Sequence, residues 1–187
     1  MNIFASSLYP VESAKVLDDI RVNKMIIESA QMLARVLEIS GVKIDCLPDI
    51  GERHYNHPCA LWVQESDYNF SWLLAHAQWL CYRYAQLRGR EHSCKQALDI
   101  CFQLSQRNDL TKLLPHGGLT PFVNCTPYKD MPVHLAYRRL LLHKWETDTI
   151  KLTWNGNKYK FGRWSGVQYT LLDKAEIKTD QYVIGNH

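Results

Sequence analysis

The stretch Ser13–Ile39, SAKVLDDIRVNKMIIESAQMLARVLEI, decides the fold class. Val16, Leu17, Ile20, Ile27, Leu33, Ala34 and Leu37 recur at steps of three and four, the period of one helix face, and Gly41 stops the run. A second set on the same stretch, Arg21, Lys24, Glu28, Gln31 and Arg35, keeps the same steps, so these heads line one side of the rod. A carboxylate between cations suits general-base work or anion recognition, because each cation favours its ionised form. The plainer reading is a solvated face laced with weak ion pairs.

Working outward, Asn2–Ser7 reads as a brief strand before Pro10. On the other side, Pro48, Gly51 and Pro58 make a loop of Cys46–Pro58. A second long helix follows, interrupted near Ser66, whose hydroxyl can cap a new start. Its apolar face is Phe70, Leu73, Leu74, Ala77, Leu80, Cys81, Tyr84 and Leu87, and Gly89 ends it. A third helix, Glu91 to about Ser105, presents Ala97, Leu98, Cys101, Phe102 and Leu104. From Asn108 to Pro132 six prolines and glycines exclude regular helix, and a long loop in a small protein tends to serve function. Helical spacing returns from Val133 to about Thr147, with Arg138, Arg139, His143 and Lys144 opposite the apolar positions. Alternation around Asn155-Gly156 signals a hairpin. The pattern is mainly α: a single compact helical domain over 1–187 with a short N-terminal strand, a helical core over 1–150, and a C-terminal β-hairpin and tail over 151–187.

With 187 residues, 46% of them hydrophobic, the chain can bury a core unaided. A net charge of +3, from 22 basic and 19 acidic residues, excludes a strongly cationic domain and leaves recognition to local patterning. Six cysteines without framework spacing, no signal-peptide pattern at Met1-Asn2-Ile3-Phe4 and no apolar run of membrane-spanning length point to the reducing cytoplasm and no membrane.

His54-Tyr55-Asn56-His57-Pro58-Cys59 concentrates proton-passing and hydrogen-bonding groups, while Pro58 gives the next helix a fixed entry. His57 with Cys59, and His92 with Cys94, are possible zinc ligands, but the spacing lacks the Cys-Xaa-Xaa-Cys pair of fingers and deaminases, so neither a metal nor another cofactor is expected. Aromatic residues alternate with bases at Tyr82-Arg83-Tyr84, Tyr128-Lys129, Tyr137-Arg138-Arg139, Lys144-Trp145 and Arg163-Trp164, a composition suited to stacking an unpaired base beside a phosphate. Many of these rings must also serve the core.

Read together, the MNIF start, KMIIESAQML over 24–33, Asn56-His57-Pro58-Cys59 with Trp62, Ser66, Asn69 and Trp72, then Arg88-Gly89-Arg90-Glu91-His92, Leu119-Thr120-Pro121-Phe122, Pro127-Tyr128-Lys129 and Ala136-Tyr137-Arg138 resemble a small phage-encoded protein family of mostly unknown function. The ordered blocks cover roughly residues 1–145. Where that family carries a His-Xaa-Asp-Lys-His block, this chain has Leu17-Asp18-Asp19-Ile20-Arg21. More distantly the layout resembles the phage pyrimidine-dimer DNA glycosylases of the endonuclease V type, helical proteins with catalytic arginine and glutamate on one helix. Their nucleophile is an amine exposed after methionine removal, whereas Asn2 does not favour that removal.

The resemblance implies an enzyme acting on nucleic acid or a nucleotide, most concretely a glycosylase/lyase for damaged or modified pyrimidines, in the host cytoplasm if phage-encoded. Lys24, Glu28 and His57 are its implied catalytic residues. Arg21, Asn56, Asn69, Arg90, His92, Asn124, Tyr128, Lys129, Tyr137 and Arg138 are implied for substrate binding. Two other readings stay open: modification of a pyrimidine or nucleotide in phage DNA metabolism, and a noncatalytic nucleic-acid-binding or host-interaction protein.

Overall fold

The chain does not form one helix over Ser13–Ile39. In a computed structural model that describes residues 1–42, 46, 48–106, 110–154, 157–158, 161–165 and 168–172, it breaks at Val16-Leu17-Asp18. A short helix α1 spans Pro10–Lys15, and α2 spans Asp19–Ile39. The break is chemical: the buried Asp18 carboxylate accepts the amide hydrogens of Ile20 and Arg21, satisfying donors that a helix start leaves bare. Pro10 opens α1 at a position where its missing N–H costs nothing.

α3 is Pro58–Gln64 and α4 is Asp67–Arg88, separated at Ser66, whose Oγ accepts from Asn69 N. Gly89, at φ 63°, closes α4 in the left-handed region. Then come α5 (Lys95–Gln106), α6 (Leu110–Leu113) and α7 (Val133–Thr147). α5 starts later than the apolar spacing predicts because His92 first makes a turn: its carbonyl accepts from Lys95 N and its ring from Cys94 N. Strand β1 (Thr153–Trp154) pairs antiparallel with β2 (Asn157–Lys158), and β3 (Phe161–Ser165) with β4 (Gln168–Leu172). The Asn155-Gly156 turn and the tail beyond 172 lie outside the described residues.

α4 is the hub, packed against α1, α2, α3 and α5, with α2 as its main partner. Enclosure on so many sides buries polar residues too, and each has a bond: Asn69 to Trp62 O, His76 to Pro10 O, Arg83 to Asp19 and Leu17 O. Fully buried Trp62, Phe70, Tyr137, Trp145 and Trp154 anchor one contiguous apolar cluster. Burial of each contributes roughly 2–3 kcal/mol.

Four further expectations need correction. Asn2–Ser7 is not strand: Asn2 Oδ1 accepts from both Ile3 N and Phe4 N, which folds the segment into a turn instead of an extended ladder. Ile20 and Ile27, seven residues apart, share the outer face of α2, while Val22, Met25, Ile26 and Met32 fill the core. Phe102 is exposed on α5. Arg138 is buried on α7, its Nε donating to Ser6 O. No helix among the described residues is long and apolar enough to cross a membrane.

Candidate functional site

The N-terminal turn is clamped from two helices. On α7, His134 Nδ1 donates to Ala5 O, Arg138 Nε to Ser6 O, and Tyr137 meets the Phe4 ring edge-on. On α2, Glu28 Oε2 accepts from Asn2 N at 2.7 Å. Phe4 sits at φ 41°, a conformation that side chains rarely adopt and that costs about 1–3 kcal/mol unless the surroundings enforce it.

Glu28 is the centre of this arrangement. Its side chain is only 12% exposed, yet each oxygen meets a cation: Lys24 Nζ is 3.6 Å from Oε1 and the α-amino group of Met1 is 3.8 Å from Oε2. Lys24 itself is 69% exposed, so this charge reaches solvent.

Beside the same α-amino group lies the start of α3. His57 is the N-cap residue, its Nδ1 accepting from Cys59 N at 3.1 Å. The His57 imidazole is held below its ordinary pKa, first by burial and then by the charges of the α-amino group and His54. Cys59 is fully buried, and its thiol donates to Cys125 Sγ at 3.5 Å. This bond and burial raise the Cys59 pKa, whereas Cys125, accepting the bond near Tyr137, Lys129 and the α-amino group, is shifted down. Tyr137 O–H donates to Val123 O and accepts from Cys125 N, fixing the loop strand that carries Cys125.

The loop is self-braced. Asn124 Nδ2 donates to Tyr128 O, its Oδ1 accepts from Thr126, and Lys129 Nζ donates to Asn124 O. Upstream, Asn69 Nδ2 donates to Thr120 Oγ1 while its Oδ1 accepts from Thr120 N, and Phe122 stacks on Trp62.

Comparison with models of protein families, with curated proteins and with solved structures finds no match for this chain.

Of the residues singled out in the sequence, Lys24, Glu28, His57, Lys129 and Tyr137 gather around the α-amino group and the thiol pair. Asn124 and Tyr128 brace the loop beside them. Arg21 lies elsewhere in role: its guanidinium is buried and bonded to both Asp18 and Asp148. Asn69 is fully buried and clamps the loop, and Arg138 is buried on the N-terminal turn. His92 is buried against Tyr84, in a shallow pocket shared with Cys81, Tyr82, Glu91 and Lys95. Asn56 and Arg90 are exposed. The sequence reading missed Cys125, which lies 66 positions from Cys59 and has no spacing rule to link them. It also missed the amide of Asn2 as a ligand of Glu28.

Proposed function

We propose that the protein is an enzyme acting on a nucleobase or nucleotide, and that its most concrete reaction is cleavage of the N-glycosidic bond of a damaged or modified pyrimidine. One observation carries this reading: Glu28 is a nearly enclosed carboxylate with a cation at each oxygen. A carboxylate held there can stabilise positive charge developing on a sugar. Lys24 Nζ supplies the amine. Once its ammonium has given a proton to solvent, the nitrogen forms a bond to C1′ as the bond to the base breaks; the electron pair leaves with the base, which takes a proton from the attacking nitrogen, and the sugar ring opens with a proton to its oxygen to leave an imine. With Arg21 and Arg138 engaged internally, Lys129 is the lysine of this region offered to a phosphate.

Incubation with lesion-bearing duplex DNA and borohydride tests the reaction. A covalent adduct whose peptide maps to Lys24, together with base release, is the expected outcome. No adduct and no base release overturns the glycosylase reading. A nucleoside that gains mass instead of losing its base also overturns it, in favour of nucleotide modification.

A further inference from the structure

We propose that His57, Cys59 and Cys125 form a binding site for one zinc-class divalent ion. Among the described residues these three bring one donor atom each to within 4.8 Å of one another. The two sulfur atoms are 3.5 Å apart, close to the roughly 3.8 Å edge implied by a tetrahedron with zinc–sulfur bonds of about 2.3 Å. Two thiolates and an imidazole are the donor types a borderline-soft ion selects over calcium or magnesium.

The scaffold holds these donors from two directions. Pro58 and the α3 start fix His57 and Cys59 two residues apart on one end of a helix. Cys125 comes from the loop, its backbone N–H donating to the buried Tyr137 hydroxyl at 3.3 Å. Ligation requires one local exchange. His57 Nδ1 now accepts the Cys59 amide, so either Nδ1 turns its lone pair to the ion or Nε2 binds after its proton moves to Nδ1; in both cases that amide loses its present acceptor. Both thiol protons leave to solvent as the sulfurs bind.

Three protein donors are fewer than the four of a closed structural zinc site, so one position remains for water or a substrate atom. The metal site does not depend on the glycosylase reading, since its readout is metal content.

The test uses the full chain, purified under reducing conditions and stripped with a chelator. Cobalt(II) titration should give one equivalent of binding with a thiolate-to-cobalt charge-transfer band, displaced by one equivalent of zinc. Cys125→Ser, in a half-buried loop position, and His57→Gln should each lose the band while circular dichroism shows an intact helical fold. Cys94→Ser, in the unrelated His92 turn, should keep it. The proposal is overturned if the wild-type chain shows no band, if the band survives in folded Cys125→Ser and His57→Gln, or if Cys94→Ser removes it.

Discussion

Glu28 shows how one residue can be structural and chemical at once. Asn2 N–H donates to it, so a neutral isostere would still hold the N-terminal turn, while only the charged form can balance Lys24 and the α-amino group. Glu28→Gln should therefore change the melting temperature little and lower base release by about 100-fold or more, the scale of a lost acid–base or electrostatic group. Thermal unfolding and single-turnover base release measure the two effects separately. A variant that keeps its full rate removes Glu28 from the reaction; one that unfolds assigns the carboxylate to the fold. Phe4 belongs to the same argument, because its strained backbone persists through the Asn2 cap, the Tyr137 edge contact and the clamps from His134 and Arg138.

At the scale of elements, the start of α2 concentrates the most consequential polar bonds. Asp18, itself fully buried, caps two amides, pairs with Arg21 and accepts from Trp145 Nε1 at 3.0 Å. Asp18→Ala should cost about 3–5 kcal/mol in urea unfolding, because it leaves a buried guanidinium half-compensated and two amides bare. A loss below about 1 kcal/mol would show that water or Asp148 replaces it. Asn69 does the corresponding work for the loop. Asn69→Ala should cost about 1–3 kcal/mol and raise amide exchange at Thr120 ahead of global unfolding, with uniform protection arguing against a separate loop clamp. These elements differ in how far their sequence announces them. Ser66 and Gly89 mark the bounds of α4 through caps that any chain would use, and α7 follows from its spacing alone. The α1–α2 break was hidden because apolar periodicity runs straight through Asp18, and only its burial makes the cap decisive. The N-terminal turn looked extended because Asn2 acts on its own neighbours. Within the site, the Lys24–Glu28 step was legible from helix geometry. The meeting of Cys59 with Cys125 was not, since it depends on how a proline-rich loop crosses the end of α3.

For the molecule as a whole, buried neutral histidines set the response to acid. His76 is completely buried on the hub helix, its Nδ1–H donating to Pro10 O and its ring stacked on Trp72, and burial lowers its pKa to about 4 from 6.5. Its Nε2 has no hydrogen-bond partner among the described residues, so nothing there receives a second proton. His92 and His134 are shifted down as well, again first by burial. Between pH 6.5 and 4 the unfolded chain therefore binds protons that the folded chain refuses, the derivative of unfolding free energy with pH is positive, and stability falls as pH falls. His76 alone contributes a loss on the order of 3 kcal/mol across this window. Asp67 acts in a lower window. Burial opposes its ionisation, but bonds from His116 and Gly117 N–H outweigh it and hold its pKa below 3.8, so its contribution is present above that value and lost as pH falls through its folded pKa. The melting temperature should therefore drop steeply from pH 7 to pH 5, before the carboxylates titrate. His76→Gln retains an amide donor for Pro10 O and removes the titration; it should start lower at pH 7 but lose less on acidification. Parallel melting curves for the two proteins across that range would place the acid sensitivity elsewhere in the core.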